Sequence, residues 1–143
     1  MPQRRHCLTP MLAVGDLSKT IEFYQAALGL FVSCTFENDG RIVWAEFSSS
    51  QRWFLCEGPV LMCNEVPQSA QATPEERRAK KGMILYLYPF DVAKLHAELV
   101  QKGFAPGDLR VTVYGMKEFE LEDPDGYQLW FGQATDDAPT VRE

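Results

Sequence analysis

The chain repeats itself, and that constrains the fold more than any other feature. The stretch LTPMLAVGDLSKTIEFYQAALGL opens the first half, and GMILYLYPFDVAKLHAELVQKGF opens the second. Each reads as a short apolar strand, an aspartate able to cap a helix, an amphipathic helix and a closing glycine. Strand-like runs follow in both halves. Asp16-Leu17 recurs as Asp91-Val92, and Ala45-Glu46-Phe47 recurs as Lys117-Glu118-Phe119. The order strand, helix, three strands therefore occurs twice, offset by roughly half the chain.

In the first half the strands are expected at 8–14, 31–37, 41–47 and 52–57. The helix lies between the first two, with Asp16 or Ser18 as cap, Ile21, Phe23, Tyr24, Ala27 and Leu28 as its stripe, and Gly29 as its end. Asn38-Asp39-Gly40 is a turn signal between the second and third strands. In the second half strands are expected at 83–88, 105–113, 116–122 and 127–131. The helix carries Val92, Leu95, Leu99 and Val100 and ends at Gly103. The last two strands flank Asp123-Pro124-Asp125-Gly126, where Pro sets the first corner, Asp closes an Asx turn and Gly accepts positive φ.

The expected organisation is a single domain over 1–143. A first βαβββ unit spans 8–57, a linker 58–81, a second unit 82–132 and a flexible tail 133–143. The linker contains a helix start, with Thr73 as N-cap, Pro74 at the first helical position and early carboxylates at Glu75 and Glu76. Arg77, Arg78, Lys80 and Lys81 give it a basic, solvated character.

Charge and composition exclude several function classes. A net charge of −6, from 20 acidic and 14 basic residues, argues against nucleic acid as a partner. No apolar run approaches the ~18 residues needed to cross a bilayer, and MPQRRHCLTP lacks the apolar core of a secretory signal, so a cytoplasmic protein is expected. Cys7, Cys34, Cys56 and Cys63 show no C-x-x-C spacing and are expected to be free thiols. There is no G-x-S-x-G nucleophile elbow and no Gly-rich phosphate loop.

With LAVGDLSKTIEFYQAALGL in the first half and YGMKEFELEDPDGYQLWFG in the second, residues 8–132 resemble the glyoxalase / bleomycin-resistance / extradiol-dioxygenase superfamily, the vicinal oxygen chelate proteins. The resemblance implies an α+β fold in which two βαβββ repeats form a concave eight-stranded mixed sheet with helices on the outer face. It also implies a homodimer and a ligand or metal in the concavity. The family's metal positions fall on Thr9, Cys56, Ile84 and Trp130. Metal chemistry needs several His, Glu or Gln side chains converging on one point, so neither metal nor other cofactor is expected. His6 and His96 read as surface or helix-packing residues.

Taking those four positions as pointing inward, strand alternation places Thr9, Met11, Trp44, Glu46, Phe54, Cys56, Ile84, Tyr86, Tyr88, Glu118, Glu120, Gln128 and Trp130 on the concave face. The opposite parity gives an almost wholly apolar set that includes Leu12, Phe47, Leu55, Phe119, Leu121, Leu129 and Phe131. The candidate ligand-binding residues are Trp44, Glu46, Cys56, Tyr86, Tyr88, Glu118, Glu120, Gln128 and Trp130, with Tyr114 and Met116 as rim. The aromatics fit planar or cationic groups, or simply fill a core. The three glutamates bind a cation, act as a base, or sit as solvated rim residues. The reading that follows is a metal-free protein that sequesters an aromatic or cationic small molecule, with catalytic residues unassigned. The alternatives are a metal-dependent lyase, isomerase or dioxygenase with off-pattern ligands, and a non-catalytic interaction module with a vestigial cleft.

Overall fold

A computed structural model describes residues 8–80 and 82–141. The chain divides into two compact units after Pro74. The first contains β1 (Met11–Val14), α1 (Leu17–Leu28), β2 (Phe31–Asn38), β3 (Arg41–Ser49) and β4 (Gly58–Glu65). α2 (Pro74–Lys80) follows, and the second unit continues with β5 (Ile84–Leu87), α3 (Val92–Gln101), β6 (Arg110–Val111), β7 (Met116–Glu122) and β8 (Gln128–Ala134). The strands form two four-stranded mixed sheets of identical topology, β1-β4-β3-β2 and β5-β8-β7-β6. In each, the first and last strands pair in parallel and the other pairs are antiparallel. The fold is α+β with two βαβββ units, as the duplication requires.

Both main helices start where the sequence places them. The Asp16 carboxylate accepts from Lys19 N at 3.2 Å, and that of Asp91 from Lys94 N at 3.1 Å, each satisfying one of the first-turn amides that lack a helical partner. α1 buries Leu17, Thr20, Tyr24, Ala27 and Leu28 against its sheet. α3 buries Val92, Leu95 and Leu99, whereas Val100 faces solvent. Beneath the helices lie Leu12, Val14, Ala45 and Phe47 in the first unit, and Phe119, Leu121, Leu129 and Phe131 in the second. Each of these side chains removed from water contributes roughly 1.5–3 kcal/mol where large and aliphatic or aromatic. Phe119 and Phe131 stack at 4.9 Å, and the Tyr24 and Phe47 rings meet at 5.6 Å.

Four expected boundaries are corrected. The fourth strand is Gly58–Glu65, not 52–57, so the segment assigned to a linker begins as a strand. Trp53 and Phe54 look strand-like, but they bury their rings from an irregular loop, and Leu55 is exposed rather than packed on a helix. Gly58-Pro59 reads as a breaker, yet proline is tolerated at the start of a strand. The strand expected over 105–113 is only Arg110–Val111. Residues 133 and 134 finish β8, and beyond them Thr140 pins β6, its N–H donating to Val111 O at 2.9 Å and its hydroxyl accepting from Val111 N at 2.8 Å.

The basic helix is not merely solvated. Arg77 donates to Asp125 O at 3.0 Å and lies 4.3 Å over the Tyr127 ring. Arg78 grips both Glu122 oxygens, at 2.7 and 2.8 Å. The turn they clamp is closed by Asp123, whose Oδ1 accepts from Asp125 N and Tyr127 N, both at 2.9 Å. Lys81, His6 and Cys7 lie outside the described residues. Among those residues no helix is long and apolar enough to cross a membrane.

Candidate functional site

The β7–β8 hairpin sets the geometry. Its register opposes Glu118 to Gly132, Glu120 to Trp130 and Glu122 to Gln128, while Phe119 opposes Phe131 and Leu121 opposes Leu129. Alternation sends the apolar set towards α3 and leaves the acids, Gln128 and Trp130 on the other face. β5 adds Tyr86 beside Trp130, and β6 adds Arg110 beside Glu118.

Glu118 is the centre of this face. It is 1% exposed, and an ionised carboxylate so placed demands charged or hydrogen-bonding partners. Three groups supply them. Tyr86 donates to Oε2 at 2.8 Å, Tyr114 donates to Oε1 at 2.8 Å, and Arg110 Nη2 donates to Oε1 at 3.1 Å. The other Arg110 fork nitrogen pairs with Glu120 Oε2, and the guanidinium carbon lies 5.3 Å from the centre of the Trp130 ring.

Tyr86 and Glu118 are on strands separated by β8. The phenol spans that gap across Gly132. A Cβ built at position 132 would stand 2.6 Å from Tyr86 Cζ and closer still to the hydroxyl. Glycine is needed here for close approach rather than for its backbone angles. Gly107 plays a similar part for Glu120. Its N–H donates to Glu120 O at 2.8 Å, and a Cβ there would meet the Glu120 carboxylate.

The electrostatics follow from these contacts. Burial, then the Glu118 hydrogen bond and charge, hold the Tyr86 phenol well above the usual tyrosine range, and the same causes raise Tyr114. Neither phenol is therefore a ready proton donor near neutrality. Burial lowers the Arg110 pKa, but hydrogen bonds and charges from Glu120 and Glu118 outweigh it, and the net direction is upward. Arg110, Thr112, Tyr114, Glu118, Glu120, Trp130 and Val141 line a hollow of about 160 Å³. A cavity of roughly 150 Å³ accepts one benzene-sized ring.

The structure gathers Tyr86, Glu118, Glu120 and Trp130 of the nine candidates. Tyr88 is exposed, its ring 5.0 Å from that of Tyr86. Gln128 turns to the hairpin end instead, where Nε2 donates to Glu122 Oε1 at 3.1 Å and Gly126 O at 3.2 Å. Trp44 and Glu46 lie on β3 in the first unit, and Glu46 accepts from the Ser33 hydroxyl at 3.0 Å. Cys56, expected on a fourth strand facing inward, is exposed in the loop before β4. Register opposes Met62 to Glu46. Sequence reasoning missed Arg110, whose strand is two residues long, and Thr112 just beyond it, and it missed Gly132, whose only trace is a glycine within an otherwise regular strand. His96 packs as expected, Nε2 donating to Gly107 O at 2.9 Å and the ring edge-on to Phe119.

These residues do not fit a divalent cation. Ile84 and Trp130 offer no donor atom, and Cys56 is exposed in a loop. Glu118 and Glu120 already serve tyrosine and arginine donors. Among the described residues no three His, Cys, Asp or Glu side chains gather into a metal-binding group.

A family model described as the Glyoxalase/Bleomycin resistance protein/Dioxygenase superfamily matches residues 5–131, and the chain belongs to that superfamily. Three solved structures illustrate the likeness. A bleomycin-binding protein complexed with bleomycin is 20% identical with a TM-score of 0.64, over 90% of this chain and 98% of that one. A bleomycin resistance determinant encoded on transposon Tn5 is 19% identical with a TM-score of 0.65, over 91% and 98%. TnmS3, an antibiotic-binding protein from Streptomyces sp. CB03234, is 18% identical with a TM-score of 0.61, over 93% and 100%. At such identities the likeness is one of fold. No curated protein matches the sequence significantly.

Proposed function

We propose that this chain is a metal-independent small-molecule-binding protein of the glyoxalase/bleomycin-resistance type, which sequesters an aromatic or cationic ligand. The observation that carries the reading is the Trp130 indole beside a hollow that two glutamates border on the same sheet face. Glu118 is fixed by its donors, whereas the Glu120 side chain is 38% exposed and within reach of a ligand. A flat ring stacked on the indole contributes on the order of 1 kcal/mol beyond area burial. The fold shared with bleomycin-binding and antibiotic-binding proteins supports the same reading. The proposal includes a cytoplasmic setting and a homodimer. Phe31 and Phe36 stand exposed on β2, an edge strand of its sheet, and suit such pairing.

The test is a calorimetric and thermal-shift screen of aromatic amines, amidines and neutral heteroaromatics. At least one class should stabilise the protein, and Trp130→Ala should weaken its binding by about tenfold while the protein stays folded. If no compound shifts the melting of the wild type, the reading fails. Sedimentation giving a monomer at high micromolar concentration would remove the homodimer from it.

A further inference from the structure

The hollow beside Trp130 is bordered by a cation that belongs to the protein. The Arg110 guanidinium donates to Glu118 Oε1 and to Glu120 Oε2 and lies over the Trp130 indole. Two carboxylates and a π face around one planar fork are the contacts that recognise a delocalised monocation. Arg110 is also the removable member of the set. Each Glu118 oxygen already has a phenol donor, from Tyr86 on Oε2 and Tyr114 on Oε1. The buried carboxylate would stay hydrogen-bonded without it. Arg110 sits on β6, a two-residue strand, and its side chain is 22% exposed, so it has a short path to water.

We infer that Arg110 is an internal occupant of a cation seat, and that the external group fitted to replace it is a planar monocation of the amidinium or guanidinium class. This rests on the small-molecule-binding reading and narrows its ligand class. Exchange leaves the charge of the seat unchanged: one fork leaves Glu118 and Glu120 for solvent, and another enters. A tetrahedral ammonium of the same charge cannot span both carboxylates and lie flat on the indole. An anionic ligand would meet two carboxylates, with the nearest cation already paired to both.

Three probes of one ring size separate the possibilities: benzamidine, benzylamine and neutral benzamide. With Arg110→Ala, affinity for benzamidine by calorimetry should rise about tenfold over wild type, the factor that one charge-assisted hydrogen bond is worth. Benzylamine should gain less and benzamide nothing. Glu120→Gln in the same background should remove the gain. Arg110→Lys, which keeps a charge at the edge, is the second variant should the alanine protein not fold. Its ammonium makes a weaker plug, so a gain of a few-fold for benzamidine is expected. Equal gains for all three probes, or none for benzamidine in either variant, overturn the inference. A wild type that binds none of the screened ligands, beside an Arg110→Ala protein that binds benzamidine, would sink the sequestering reading but uphold the seat. A wild type that binds an aromatic ligand through Trp130, with no benzamidine gain on removing Arg110, would do the reverse.

Discussion

Glu46 and Glu118 occupy matching places in the two repeats, yet their surroundings differ. Each precedes a fully buried phenylalanine on the third strand of its unit, and each is itself buried, at 2% and 1% exposure. Opposite Glu46 on the neighbouring strand stands Met62; opposite Glu118 stands Gly132. In the second unit the missing side chain lets Tyr86 cross from β5, and Tyr114 and Arg110 complete the shell. In the first unit Glu46 accepts from Ser33 on the adjacent strand, which in turn accepts from Ser48 at 2.7 Å. A duplicated backbone thus delivers the same carboxylate twice, and one residue on the next strand helps decide which donors reach it.

The largest effect should separate the two carboxylates. Glu118→Gln removes the charge that three donors share and should cost about 3 kcal/mol in urea denaturation. Glu46→Gln, which keeps an acceptor for the Ser33 hydroxyl, should cost less, about 1 kcal/mol. Equal losses would break the comparison.

Next come the turns that lead from third to fourth strand. Asp123→Ala takes a charged acceptor from two backbone amides and should cost about 2 kcal/mol. Its counterpart is Ser49, whose hydroxyl accepts from Gln51 N and donates to Phe54 O, both at 3.2 Å, across a longer loop. Ser49→Ala should cost about 1 kcal/mol. The reverse order would mean that the irregular loop, not the hairpin, is the stronger closure.

A smaller effect sharpens the role of Gly132. Gly132→Ala pushes the Tyr86 ring off Glu118 and should cost about 1.5 kcal/mol, the value of one hydrogen bond to a charged group. Tyr86→Phe should cost a similar amount, and the double variant clearly less than the sum. Strict additivity would show that the glycine serves something other than the tyrosine.

The smallest effect appears only in alkali. The folded state holds the Tyr86 and Tyr114 protons more tightly than the unfolded chain does, where tyrosine ionises near pH 10. Their contribution is therefore fully present below about pH 10 and declines as pH rises through the higher folded values. Tyr86→Phe should reduce that decline. Absorbance titration should show fewer late-ionising phenols after Glu118→Gln, and an unchanged curve would contradict the hydrogen bonds.

The sequence by itself determined the duplication, the Asp91 cap, the choice of Asp16 or Ser18 for the other helix, the Asp123 turn and the parity of β7 and β8. Each of these is written in residues a few positions apart, where backbone geometry fixes which side chains meet. It did not determine the fourth strand, because Trp53 and Phe54 have strand composition without strand hydrogen bonds, and apolar rings bury equally well from a loop. Nor did it determine the company Glu118 keeps. Tyr86 is 32 residues away and reaches the carboxylate only because β8 lies between β5 and β7 and presents a glycine at the crossing. Which strand neighbours which, and in what register, is settled by long-range pairing of whole sheets. Only the tertiary structure could therefore bring a glutamate, two tyrosines, an arginine and a tryptophan into one cluster.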